Sequence, residues 1–317
     1  MAENQHSLDV EKRLTYVFLD YAPLPNAKMN LGDGFFLAGL PPFLLQEDES
    51  YCVQLVRPQF SQFFEDHLHK TTLNIVYRGR SDLSEEGVNS EEEESYRKAN
   101  QYLLAAVLHA PYFVHPYACF ITIPSIGKVC HSKRMRDFGA IDQGLIVALG
   151  EADFTKIDTI YDAVKPLLPP NATGRLPTAL DYYHQAFRCD ISWPIRFLSM
   201  MMGIEALFSH GASEISHQVS ERVAFFLCQE PDRREKLYQQ LRDFYRLRST
   251  IAHGGTVTDK MSKAEESFQE LLFLLRESLL KVLGDTELLN LFRSATSKQF
   301  AAAMKALVFR GHLATEA

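Results

Sequence analysis

Hydrophobic residues are spaced differently in the two halves of this chain. In the first half they fall in short runs that are rich in β-branched and aromatic side chains and are bounded by Pro, Gly, Asn or Asp. Such runs predict strands over residues 15–21, 34–40, 51–56, 71–77, 117–124 and 144–148. An acidic segment, residues 82–94, leads into a stretch with helical spacing that includes Leu103, Leu104, Val107 and Leu108.

Proline and glycine then crowd into a short segment that is typical of a linker, at Pro166, Pro169, Pro170, Gly174 and Pro177. Beyond it nearly every hydrophobic residue has a helical period. We expect helices over residues 180–187, 192–208, 215–227, 232–251 and 262–283, followed by one or two shorter ones, with Ser192, Asp232 and the Ser262/Glu265 pair at their starts. The helix over 192–208 is apolar on almost every side, which predicts a central, buried position.

These patterns predict two domains of different class. Residues 1–165 are expected to form an α+β domain of unknown role, with a sensor or regulator as the interpretation, and residues 176–317 an all-α helical bundle.

Composition and charge narrow the class of protein. Hydrophobic residues make up 46% and charged residues 23% of the 317 residues, which is typical of a globular protein. No run of 18 apolar residues occurs and the N-terminus lacks a secretory pattern, so we expect a cytoplasmic protein without a membrane span. Five scattered cysteines predict neither a disulfide framework nor a zinc ribbon. The net charge of −7 argues against bulk coating of nucleic acid but allows a local basic face.

One arginine interrupts an apolar helical stripe. Positions 237, 241, 244, 248 and 251 step by four and three, and all are Leu, Phe or Ile except Arg248. A guanidinium keeps its charge when buried, so Arg248 must find a partner or face a cleft. Glu205 stands in an equally apolar helix, and we predict that it pairs with Arg248. Arg242 and Arg246 lie off the stripe as solvated charges, or as a surface that steers RNA.

His253 follows Arg248 by five residues and precedes Gly254 and Gly255. On an ideal helix the two side chains lie ~140° apart, so they share a face only if the helix distorts at its end. The alternative is that His253 merely interacts with the free carbonyls and the dipole at the helix C-terminus.

Four segments resemble the ApeA-like branch of the HEPN superfamily: GIEALF at 203–208, EIS at 214–216, ERVA at 221–224 and YRLRSTIAHG at 245–254. Arg248 and His253 in the last of them match the R-x4–6-H pattern of HEPN domains. The resemblance covers roughly residues 176–284 and implies a homodimer in which two Arg/His motifs line one cleft. It also implies cleavage of RNA without metal or cofactor, in anti-phage or toxin-type defence. Many ribonuclease members carry Asn, Asp or His where this chain has Ser249, which departs from the pattern.

The residue chemistry fits such an enzyme. RNA supplies its own nucleophile in the 2′-OH, so a cleaving enzyme needs proton transfer and charge neutralisation. An imidazole at position 253 can move the proton, Arg248 can hold the phosphate through two parallel hydrogen bonds, and Glu205 and Ser249 support them. We therefore expect a metal-independent endoribonuclease whose trigger is a phage product or a nucleotide. The alternative is a non-catalytic HEPN module that binds a nucleotide or assembles proteins.

Other histidines suggest weaker possibilities. His67 and His69 lie beside two carboxylates and could hold a metal, although polar side chains of this kind are also common at a protein surface. His210 and His217 flank the turn at Gly211 and could approach the cleft or lie on a solvated loop.

Overall fold

The computed structural model divides the chain into two compact units, Met1–Tyr161 and Asp162–Ala317. It describes residues 14–19, 29–32, 35–38, 73–78, 97–98, 100–110, 117–123, 131–137, 151–187, 191–211, 214–255 and 261–311. The division falls within one helix, ahead of the proline-rich segment, whose residues Lys165–Leu167 form a 3-10 turn.

Six strands of the first unit pair in antiparallel fashion, in the order β2-β3-β4-β1-β5-β6. They are β1 (Leu14–Leu19), β2 (Met29–Gly32), β3 (Phe35–Ala38), β4 (Leu73–Arg78), β5 (Tyr117–Ile123) and β6 (His131–Asp137). Strand β6 was not predicted, because its sequence HSKRMRD has no β-branched residue. It is the outermost strand of the order, where charged side chains discourage pairing with another chain. The predicted strands at 51–56 and 144–148 lie outside the described residues.

The predicted fold class, an α+β domain followed by a helical bundle, is wrong. From about residue 100 to 310 the interpretable structure is 83% helical, and its described residues from Glu151 on form an all-helical region. After Asp137 no strand occurs among the residues that are described, and of the segments joining the six strands only residues 97–98 and 100–110 are described. The strands therefore do not define an α+β domain. The short apolar runs predicted strands, but the helix over Glu151–Val164 in the same half of the chain was not predicted.

Two helices occur at the end of the first unit, α1 (residues 100–109) and α2 (Glu151–Val164). The sequence analysis missed α2, although its buried residues Phe154, Ile157 and Tyr161 have helical spacing. The two helices are joined by polar contacts. The Tyr102 hydroxyl donates to Oδ1 of Asp158 over 3.0 Å, and Nε2 of His109 lies 2.9 Å from Oδ1 of Asp153. Burial raises the pKa of Tyr102 well above its usual value, and Asp158 raises it further.

The second unit continues as seven α-helices in its described residues. They are α3 (Arg175–Gln185), α4 (Trp193–Phe208), α5 (Ile215–Leu227), α6 (Pro231–Ala252), α7 (Met261–Leu283), α8 (Thr286–Ser294) and α9 (Ser297–Arg310). Several starts differ from the prediction. Ser192 is the N-cap residue of α4 but its side chain accepts no capping bond, Glu230 rather than Asp232 precedes α6, and α7 begins before Ser262. The capping box is instead formed by Thr296 and Gln299 at α9.

Helix α4 is the centre of this unit, as its all-round apolar sequence predicted. It contacts α3, α5, α6 and α7, and half of its residues are buried. Gly203 lets α7 come close, because a Cβ atom there would lie 2.8 Å from Cδ2 of Leu275. On the α6 side, the rings of Phe197 and Phe244 meet edge to face with centroids 6.1 Å apart. Residues on α4 and α6 are thus held in fixed register.

No helix in the described part of the chain is both long enough and apolar enough to span a membrane.

Candidate functional site

The apolar stripe of α6 is buried at one end and open at the other. Leu237, Leu241 and Phe244 are buried, whereas Arg248 keeps 41% of its side-chain surface exposed. Nε of Arg248 lies 3.8 Å from Oε1 of Glu205 on α4, so the predicted pairing is present. The Glu205 side chain is only 19% exposed, and Arg248 therefore compensates a charge that is largely removed from water.

Arg248 opens into a shallow surface groove of about 310 Å³ between α5 and α6. The groove is lined by Ser216, Arg242, Tyr245, Arg246, Arg248 and Ser249. Arg246 forms an ion pair with Asp243, while no carboxylate of the described residues lies within 4 Å of Arg242. The three guanidiniums thus face two carboxylates, Glu205 and Asp243, which leaves one positive charge in excess. Such a surface favours a singly charged anion such as a phosphodiester.

Tyr245 belongs to this site, and the sequence analysis missed it. Its hydroxyl is shut off from solvent and makes no hydrogen bond of acceptable geometry. Burial raises the pKa of Tyr245 well above its usual value, the neighbouring Glu205 carboxylate raises it further, and Arg248 opposes the shift. The hydroxyl therefore stays neutral beside the Glu205–Arg248 pair. The available signal was its spacing, three residues before Arg248 and four after Leu241, which borders the stripe.

His253 is not brought together with Arg248 within one chain. It is the exposed C-cap residue of α6, and its backbone N–H still donates to the Ser249 carbonyl over 3.1 Å. The left-handed backbone conformation occurs one residue later, at Gly254, with φ of 72°. The backbone distortion therefore begins after His253 and does not turn its imidazole toward Arg248. His253 is absent from the described residues that line the groove.

A second arginine cluster lies at the C-terminal end of α4. Arg222, which is buried, donates to the Phe208 carbonyl over 2.6 Å and to Nδ1 of His210 over 3.0 Å. Arg175 donates to the carbonyls of Ala206 and Ser209 over 3.3 and 2.5 Å and stacks on the Phe300 ring. Burial lowers the pKa of both guanidiniums. These arginines satisfy carbonyls that a helix end leaves unpaired, and the sequence analysis did not identify them.

The histidines that flank Gly211 have different surroundings. A guanidinium can only donate, so the contact with Arg222 makes Nδ1 of His210 an acceptor and fixes this ring as part of the buried cluster. His217 is exposed, and its Nδ1 lies 2.9 Å from the Tyr238 hydroxyl. The predicted metal candidates His67 and His69 fall outside the described residues, within which no group of three or more His, Cys, Asp or Glu side chains could hold a metal ion.

Comparison of the chain with protein-family models, with curated proteins and with solved structures found no match.

Proposed function

We propose that the helical unit is a cytoplasmic, HEPN-type, metal-independent endoribonuclease and that an RNA phosphate binds in the groove at Arg248. One observation carries the proposal: an arginine interrupts an otherwise apolar stripe and presents 41% of its side chain in a groove with excess positive charge. A residue needed only for packing would be buried or replaced by an apolar one. The resemblance to HEPN domains supplies the reaction class.

In the proposed reaction the ribose 2′-oxygen attacks the adjacent phosphorus atom, and the bond to the 5′-oxygen breaks. The products are a 2′,3′-cyclic phosphate and a free 5′-hydroxyl. Arg248 neutralises charge that develops on the phosphate, and Glu205 holds its guanidinium. His253 takes the proton that the 2′-hydroxyl loses. Proton transfer of this kind typically raises the rate by ~10²–10⁴-fold. Because His253 does not line the groove that contains Arg248, we place the reaction in a homodimer, where the second copy supplies the imidazole.

The test is incubation of the purified full chain with mixed RNA at neutral pH in the presence of a chelator. We expect cleavage products that end in a 2′,3′-cyclic phosphate, no cleavage by His253→Ala, and a mass in solution of twice the chain mass. Cleavage that His253→Ala leaves unchanged, or that occurs in a strict monomer, would contradict the proposal. Arg233→Ala is a matched control, because Arg233 is an exposed arginine of α6 outside the groove.

The second candidate function is a non-catalytic HEPN module that binds a nucleotide or assembles proteins. The exposed position of His253 at the C-cap of α6, outside the groove lining, favours it. Here His253 interacts with the helix dipole, and the Arg248 groove holds a nucleotide phosphate without cleaving it. Nucleotide binding that Arg248→Ala abolishes, without any RNA cleavage by the wild type, would select this candidate.

The resemblance also suggests a role in anti-phage or toxin-type defence, with a phage product or a nucleotide as trigger. In that proposal residues 1–165 restrain the nuclease until the trigger arrives. Expression of the wild-type chain with and without phage infection tests this, with His253→Ala as control. Growth arrest confined to infected cells that express the wild type is expected, and equal growth of both strains during infection is the opposing result.

A further inference from the structure

An aromatic pair, exposed His217 and half-buried Tyr238, extends the arginine groove along α6. His217, in the first turn of α5, and Tyr238, in the second turn of α6, are joined by the 2.9 Å contact between Nδ1 and the phenolic oxygen. Their rings stand edge to face, with centroids 5.9 Å apart and planes at 84°. No contact of Nε2 of His217 with another described residue is present, so this edge of the imidazole can meet a ligand.

Both residues of the pair are close in sequence to residues that line the groove. Ser216, the residue before His217, lines the groove, and Tyr238 lies one helical turn before Arg242, which also lines it. Side chains four residues apart on a helix are neighbours on one face. At 1.5 Å per residue, Tyr238 stands ~6 Å from Arg242 and ~15 Å from Arg248 along the axis of α6. The aromatic pair, Arg242 and Arg248 thus form one strip that is longer than a single phosphate.

We propose that His217 and Tyr238 form a platform for one unpaired base, and that the ligand of this strip is therefore single-stranded RNA. This inference rests on the proposed function. The phosphates lie along Arg242 and Arg248, while a base stacks on the accessible side of the aromatic pair and meets the imidazole edge at Nε2 of His217. A positively charged track combined with aromatic stacking is how proteins hold single strands. Bases of a duplex are stacked inside the helix and cannot reach such a platform.

The experiment measures equilibrium binding of a short fluorescent single-stranded RNA of mixed sequence by the full chain. Its riboses carry 2′-O-methyl groups, which prevent cleavage, and a duplex of the same sequence serves as competitor. We expect His217→Ala and Tyr238→Ala to weaken single-strand binding by about tenfold each. Tyr238→Phe, which keeps the ring, should weaken it far less. The duplex should compete poorly against the single strand.

The control Phe309→Ala removes an exposed aromatic residue of α9 and should leave binding unchanged. Circular dichroism of each variant shows whether the surface substitutions preserve the helices. If the wild type and the alanine variants bind the single strand equally, or if the duplex competes as well as the single strand, the platform is refuted while the proposed function stands. If the wild type neither binds nor cleaves RNA, the proposed function fails, and the platform fails with it.

Discussion

Two arginine clusters lie against the same central helix, α4, and their guanidiniums have different partners. At its C-terminal end Arg222 and Arg175 donate to backbone carbonyls, and Arg222 is buried. One turn earlier Glu205 contacts Arg248 at 3.8 Å, and much of that guanidinium faces the groove. The guanidinium N–H groups of the first cluster donate to groups of the protein itself, whereas some of those in the second cluster remain available to a ligand. The ability of an arginine to bind a ligand depends on the donors that the fold leaves unoccupied.

The largest expected effect on stability concerns the closed cluster. Arg222→Met leaves the Phe208 carbonyl and the His210 imidazole without their donor, and we expect the free energy of unfolding to fall by about 3 kcal/mol. Urea unfolding followed by fluorescence measures this, because the single tryptophan, Trp193, is the first residue of α4. Arg233→Met on the exposed side of α6 should change stability by less than about 0.5 kcal/mol. A loss below about 1 kcal/mol for Arg222→Met would show that the cluster is not structural.

Arg248→Ala should reduce RNA cleavage strongly and the free energy of unfolding less than Arg222→Met does. We expect RNA cleavage to fall roughly 100-fold, as for removal of a donor that stabilises transition-state charge. The free energy of unfolding should fall by about 1–2 kcal/mol, less than for Arg222→Met, because Glu205 loses its counter-ion but keeps some contact with water. Arg248→Lys should recover only part of the activity, since an ammonium lacks the planar fork of a guanidinium. If Arg248→Ala unfolds as Arg222→Met does, the two clusters do not differ in role.

Glu205→Gln tests how strongly the acidic partner restrains the groove. Removal of the carboxylate leaves Arg248 without its anion and raises the excess positive charge, so we expect RNA affinity to rise about threefold. The dependence of affinity on salt should become steeper, because more counterions are displaced. Titration of labelled RNA at several salt concentrations measures both effects. A fall in affinity would mean that Glu205 acts mainly by orienting the guanidinium.

The smallest effect at neutral pH is expected for Tyr245→Phe. The hydroxyl is buried without a hydrogen bond, so its removal should change stability by less than about 1 kcal/mol, in the stabilising direction. The pKa of Tyr245 is raised in the folded chain, and unfolded tyrosine ionises near pH ~10. Wild-type stability should therefore fall as pH rises above ~10, and the variant should lose less. Urea unfolding at pH 7 and 10.5 tests this, and a constant difference between wild type and variant would contradict the buried, neutral hydroxyl.

Local patterns predicted the helical half well and, in the first half, four of the strands that the structure describes. The stripe of α6 and the apolar sequence of α4 were sufficient to predict both helices, because each depends on spacing within one element. The Glu205–Arg248 pair was predicted because each charge interrupts an apolar helix and needs a partner. Strand β6 and helix α2 were missed because neither has a strong local signature. The predicted starts of α6 and α7 differ from the observed ones, since several residues near each start can serve as a cap.

By itself the sequence determined that a charged residue interrupts an apolar seam and that His253 precedes a glycine pair. The tertiary structure decided what those residues meet. It placed Tyr245 beside the Glu205–Arg248 pair, left His253 exposed at the end of α6, and buried Arg222 among carbonyls. The physical reason is that the environment of a side chain is set by neighbours distant in sequence, whereas helical periodicity is set by residues three and four positions away.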